Sequence, residues 1–405
     1  MQRENKRSRD EEMVKKLKTF DFTLLFAPLA LVAFGTVMIY SASMVYAPIR
    51  YGVSSDFFLI KQLQWLTIGL LLMFGASIIP YRHWQRLAKL SVLLMVVLLA
   101  GLFVFGENVN NATSWYDLKF MKFQPAEFVK IGLIIYLAAV YAKKQKYIGN
   151  FNRAVLPPLI LTSFILGLIV LQPDIGSAAV IGFIASFIII SSGIHWRHIL
   201  LLVGVTLGIL VIGGTQMVTP ERLERFSGAY QPFQAPDAEG YHLIQSYVAI
   251  GTGGIFGEGI GQGVQKLGYL PEPHTDFIMA VIAEELGFIG VAVTIGLLGL
   301  IVLRGLYISW KCRDAFGALL ALGISVMVAV QAFINLGSMS GLLPITGVTL
   351  PFVSYGGSSL LIMMFSVGIL NNIARKVKAN EQESYETTKL TKEEMMKQGV
   401  RSWQN

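Results

Sequence analysis

Long apolar runs separated by short polar breaks set the pattern of this chain. The first 20 residues are polar and basic. Apolar runs then predict helices over 22–43, 57–79, 90–105, 125–142, 155–171, 175–194, 199–217, 276–303, 315–334 and 360–373. Many of these reach about 18–22 residues, which at about 1.5 Å per residue crosses a hydrocarbon core of roughly 30 Å. The strict alternation over about ten residues that marks a transmembrane strand is missing. The pattern predicts an all-α polytopic membrane protein with about ten transmembrane helices.

Two segments break the rhythm. Residues 218–275 form a long polar interruption between the seventh and eighth predicted helices. Residues 335–359, between the ninth and tenth, are apolar but rich in Gly, Pro and Ser. They read as re-entrant or cavity-lining backbone, which membrane depth tolerates only under protein cover or beside water. The division is then an N-terminal tail (1–21), a transmembrane domain (22–379) holding the large loop (218–275), and a C-terminal tail (380–405). The stretch around 389–397 fits either an amphipathic surface helix or a solvated tail.

Composition agrees: of 405 residues, 54% are hydrophobic and 14% charged, too little charge for a soluble surface of this size. The net charge of +8 does not point to nucleic acid, because the basic residues sit in short loops and tails. With both termini cytoplasmic, about 25 of the 33 Lys and Arg fall on the inner side. Only Arg50, Lys119, Lys122, Arg222, Arg225 and Lys266 fall on the outer side, so the 218–275 loop is expected to be extracytoplasmic. A single cysteine, Cys312, excludes an intramolecular disulfide. The polar start and the length of the first apolar run do not fit a cleavable signal peptide.

Several polar residues stand out at the ends or inside of apolar runs. Asp276 opens the eighth. It is either an N-cap or dipole partner, or a general base whose pKa partial burial would raise. Lys130 lies inside the fourth, either paired with Glu127 three residues earlier or binding phosphate with Lys122. Asp174, in Gln172-Pro-Asp174, suits a turn. Glu284 and Glu285 lie within the eighth run, where at least one is expected to pair with a cation or polar group. Trp115 is an interfacial anchor or a stacking surface for a sugar. Glu272 and His274 flank Asp276 as further substrate-binding candidates, their individual roles open. The glycine run from Gly251 to Gly263 follows no βαβ strand and has no Gly-Lys-Ser/Thr ending; close backbone packing or a mobile loop explains it better. No His-x-x-x-His spacing suggests zinc.

Six motifs in order carry a resemblance: Gln124-Pro-Ala-Glu127, Gln172-Pro-Asp-Ile-Gly176, Ala249-Ile-Gly-Thr-Gly-Gly254, Leu270-Pro-Glu-Pro-His-Thr-Asp-Phe277, Glu284-Glu-Leu-Gly287 and Pro351-Phe-Val-Ser-Tyr-Gly-Gly-Ser-Ser359. Together they resemble the SEDS family (shape, elongation, division and sporulation), nearer its FtsW branch, with the sporulation relative, than RodA. The resemblance implies a multi-pass protein of the bacterial cytoplasmic membrane that polymerises lipid II into β-1,4 glycan strands of peptidoglycan. It implies a class B penicillin-binding protein as transpeptidase partner, other divisome membrane proteins, and work at the division septum. The family's essential aspartate matches Asp276, its functional tryptophan Trp115, and its basic residues Lys122 and Lys130. The family often has Arg before that tryptophan; here it is Ser114. The leaving pyrophosphate makes a divalent cation, magnesium or manganese, an expected cofactor. Transport of lipid II and a non-catalytic scaffold that activates the transpeptidase are the alternative functions.

Overall fold

The computed structural model describes residues 20–109, 112–118, 122–195, 197–198, 200, 227–234, 236 and 240–402. Apart from residue 200, the helix expected over 199–217 lies outside the described residues, as do Lys119, Arg222 and Arg225.

Helix α1 (Phe22–Ser43) starts at a carboxylate cap, Asp21 accepting from the Thr23 and Leu24 amides at 3.2 and 3.4 Å. A short α2 (Tyr46–Tyr51) follows. Helices α3 (Phe57–Ile78) and α4 (Arg82–Phe105) are separated by the Pro80 turn. Their outer faces carry exposed apolar side chains such as Leu71 and Val104, as lipid-facing helices must. Helix α5 (Pro125–Lys144) begins with proline, whose missing amide costs nothing in the first turn. Helices α6 (Leu156–Val170) and α7 (Ile175–Ser191) flank the Gln172–Asp174 turn. There Asp174 caps α7 through the Ser177 amide at 3.0 Å, so the turn reading of this residue holds.

The 107–123 stretch departs from an all-helical expectation. It folds as an antiparallel sheet of β1 (Glu107–Val109), β2 (Ala112–Asp117) and β3 (Lys122–Phe123), in the order β1-β2-β3. Glu107 stands opposite Trp115, and Asp117 opposite Lys122. These strands are short and polar, so a search for long apolar runs passes over them.

The large loop contains a helix, α8 (Tyr241–Gly253). Helix α9 (Ile278–Lys311) is longer than expected and is broken at Gly287, where φ is +65°. The break would strand backbone groups inside the bundle, but the glycine run takes them. Glu258 and Gly259 donate their amides to the carbonyls of Glu284 and Glu285 (2.9 Å each), and Phe288 donates back to Gly254 (2.9 Å). A Cβ at Gly257 would fall 2.3 Å from the Glu285 carbonyl oxygen, so only glycine admits this approach. Close backbone packing is therefore what the run does.

Helix α10 (Ala315–Met339) is capped by Asp314 through Gly317 at 3.1 Å. After an irregular segment over 340–356, α11 (Gly357–Ser402) runs on through the expected tail as one helix. Among the described residues, eight helices are long and apolar enough to cross a membrane, and α7 is a shorter apolar one. The central ones are α5, α10 and the first part of α11, which are buried on most sides.

Candidate functional site

Asp276 immediately precedes α9 but does not cap it: the helix starts at Ile278 with no side-chain cap. That excludes the capping role and leaves the helix-dipole partner and the general base as its readings. The turn carrying it is fastened to the irregular segment and to α10. Ser354 donates its hydroxyl to the Thr275 carbonyl (2.6 Å), Tyr355 its amide to the His274 carbonyl (2.9 Å), and Asn335 its side-chain amide to the Asp276 carbonyl (2.9 Å). Gly347, at φ +71°, passes beside the carboxylate; a Cβ there would lie 3.8 Å from Oδ2.

The Asp276 side chain keeps part of its surface open, yet dense protein surrounds it. Loss of solvation, with the Glu272 carboxylate adding repulsion, pushes its pKa up to about 7. Glu272 itself sits at φ +48°, in the left-handed region that costs a non-glycine residue of order 1–3 kcal/mol. His274 is buried in an aromatic box of Phe58, Tyr46 and Tyr355, with ring centroids at 4.3, 5.6 and 5.7 Å. Burial lowers its pKa to about 4, which keeps the ring neutral at pH 7. Its carbonyl accepts from Tyr355, while its Nδ1 has no hydrogen-bond partner among the described residues.

Lys130 is buried in α5, its ammonium 2.7 Å from Glu127 and 2.6 Å from the Gln331 side-chain oxygen. An ammonium has three donors, so these two contacts do not exhaust it. The Glu127 pair and a phosphate role are thus compatible rather than exclusive. Lys122 and Trp115 lie on the small sheet, Lys122 exposed and paired with Glu107 at 3.0 Å. Ser358 at the start of α11 ties this sheet in, accepting from the Gln124 amide at 3.2 Å and donating to the Lys122 carbonyl at 3.4 Å. Gln124 also donates to Asp174 at 3.2 Å.

The structure thus brings Glu272, His274 and Asp276 into one turn and connects Lys130 to it through α10. The connecting residues, Gln331 and Asn335, were not among the expected site residues. Their signal was available: two amides four residues apart put polar groups on one face of an apolar helix. Lys266, expected on the outer side, has its ammonium enclosed, 2.5 Å from Glu285 and 2.8 Å from Ser41. Glu284 accepts from the Val264 and Gln265 amides at 2.7 and 3.0 Å. The carboxylate pair inside the eighth run is therefore matched, as expected, and it anchors the large loop.

A family model described as a cell cycle protein, for FtsW, RodA and SpoVE, matches residues 22–379. The chain is 50% identical over 381 residues to the probable peptidoglycan glycosyltransferase FtsW of Bacillus subtilis (strain 168), covering 92% of this chain and 94% of that protein. Its fold matches a chain of a solved peptidoglycan synthase complex with a TM-score of 0.73 at 31% identity, over 88% of this chain and 98% of that one. It matches the rod shape determining protein RodA of Thermus thermophilus with a TM-score of 0.64 at 30% identity, over 88% and 97%.

Proposed function

The chain belongs to the FtsW/RodA/SpoVE family of cell cycle proteins, and from that premise we propose how its Asp276 site performs peptidoglycan glycosyl transfer. The protein is a multi-pass membrane glycosyltransferase nearer to FtsW than to RodA. Its substrate is lipid II, a disaccharide peptide on a lipid pyrophosphate. The 4-hydroxyl oxygen of the acceptor GlcNAc attacks the anomeric carbon of the donor MurNAc. The new β-1,4 bond forms as the bond from that carbon to the pyrophosphate oxygen breaks, and the pyrophosphate leaves with its negative charge. Back-side attack inverts the α-linked donor.

Asp276 takes the hydroxyl proton. The observation that carries this reading is an uncapped, partly open carboxylate with a pKa of about 7 at the end of α9. A base poised near working pH divides its time between accepting and releasing protons, and such transfer contributes about 10²–10⁴-fold. Lys130, whose two contacts do not exhaust its donors, and Lys122 stabilise the leaving pyrophosphate. Trp115 offers a face for a sugar. The expected divalent cation, magnesium or manganese, would enter with the pyrophosphate, whose oxygens suit it. Among the described residues no three side chains of metal-ligating type converge.

A class B penicillin-binding protein as the partner, other divisome proteins and a septal location belong to the same proposal; the fold match to a peptidoglycan synthase complex supports the first. The buried Lys130, Glu127 and Gln331 would also suit passage of a polar headgroup, which keeps lipid II transport as a second reading. The test is polymerisation of lipid II in detergent by the purified protein with its partner, with moenomycin present to silence polymerases of the other class. Glycan strands are expected from wild type and none from a folded Asp276→Ala variant. Strands from neither favour transport or scaffolding; equal strands from both discard Asp276 as the base.

A further inference from the structure

Two amides on one face of α10 touch both ends of the proposed site. Gln331 accepts from Lys130 through its oxygen (2.6 Å) and donates from its nitrogen to the Thr349 carbonyl (3.1 Å) and the Ser359 hydroxyl (3.2 Å). Asn335, one turn later, donates from its nitrogen to the Asp276 carbonyl (2.9 Å) and the Val348 carbonyl (2.8 Å). Both side chains are enclosed, at 0% and 1% exposure. Val348 and Thr349 are adjacent, so the two amides grip neighbouring carbonyls of the same irregular segment.

The orientation of each amide is forced. Asn335 faces two carbonyl oxygens, which only its NH₂ can satisfy. Gln331 faces an ammonium on one side and a carbonyl on the other, which fixes oxygen toward Lys130 and nitrogen toward Thr349. Neither can flip without setting like against like. Four residues of helix separate them by about 6 Å along the axis. The helix therefore acts as a spacer between the turn of the base and the cation. The Asn335 Oδ1 has no hydrogen-bond partner among the described residues, although it is enclosed beside this turn.

We propose that Gln331 and Asn335 are positioning residues of the transferase. They set the separation of Asp276 and Lys130 through α10 and the Val348–Thr349 backbone, without themselves accepting the reacting proton. The inference rests on the reading of Asp276 as the base.

The test compares wild type, Asp276→Ala, Gln331→Leu, Asn335→Leu and Asn335→Asp in the purified protein with its partner, using fluorescent lipid II. Melting temperature and size-exclusion profile report folding. For both leucine variants kcat is expected to fall at least tenfold with KM within about twofold. Asn335→Asp keeps the shape and donates only when protonated. Its activity relative to wild type at the same pH is expected to rise as pH falls from 8 to 5.5. Wild-type kcat in either leucine variant overturns the proposal. So does an activity loss matching the loss of folded protein, accompanied by a pH-independent Asn335→Asp ratio. A wild type that makes no strands, or an Asp276→Ala variant that makes them normally, overturns the underlying reading instead.

Discussion

Lys266 of the large loop places its ammonium 2.5 Å from the Glu285 carboxylate, and both side chains are sealed from solvent. Ser41 of α1 completes the cluster, donating to Glu285 at 2.7 Å. Two charges in such surroundings are tolerable only together, because desolvation opposes each of them alone. The pair pins the loop to α9 beside the break at Gly287. Lys266→Met alone should cost about 3–5 kcal/mol by leaving Glu285 charged and unpaired. The double variant Lys266→Met with Glu285→Leu should recover much of that. Thermal melting in detergent reads the difference, and equal melting of the single and double variants would refute it.

The glycine packing makes a second prediction. Gly257 has φ +77°, and a Cβ there would overlap the Glu285 carbonyl. Gly257→Ala should therefore lower the melting temperature, while Gly251→Ala, where no atom lies within 4 Å of the added methyl, should leave it nearly unchanged. A matched pair of melting curves distinguishes strain at one position from a general intolerance of the run.

The Asp276 pKa of about 7 predicts opposite pH trends for rate and stability. The base works when ionised, so polymerisation should rise with pH and reach half its plateau near 7. Folding raises this carboxyl's pKa from 3.8, so its contribution to stability is complete below about 3.8 and declines as pH rises through 7. Asp276→Asn should be inactive and should become the more stable form, relative to wild type, on going from pH 5 to pH 8. Parallel rate and melting profiles across that range provide the check.

The two site lysines should behave differently. Lys130 is enclosed with Glu127, so Lys130→Met should lower both stability and activity. Lys122 lies on the surface and pairs with Glu107 in water, a contact worth about 1 kcal/mol at most. Lys122→Ala should leave melting nearly unchanged while weakening lipid II polymerisation. Measuring both properties for both variants separates binding of the pyrophosphate from support of the bundle.

Much of the site was legible because its chemistry sits where composition changes abruptly. Asp276 ends a polar stretch, and Lys130 interrupts an apolar one; both announce themselves against their surroundings. Asp174 and Glu284 were likewise visible as polar residues in apolar company. The sheet around Trp115 escaped notice because three short polar strands make no long-range hydrophobic pattern. The true fate of Lys266 was hidden for a related reason: a lysine in a polar loop looks solvated, and nothing local signals that its partner lies on α9.

By itself the sequence determined that the chain is a helical membrane protein, since apolar length and spacing are local properties that no folding partner need supply. It also determined which residue types are available for chemistry at the ends of the helices. Tertiary structure alone decided which polar groups meet. Lys130 and Gln331 are 201 residues apart, and Ser41 and Glu285 are 244 apart. A residue's own helix fixes the face on which it points, but only the packing of α5 and α10 on one another, and of α1 and the large loop on α9, brings those faces within hydrogen-bond reach. In a bundle core a donor or acceptor left without a partner is costly, so such distant pairings favour this packing.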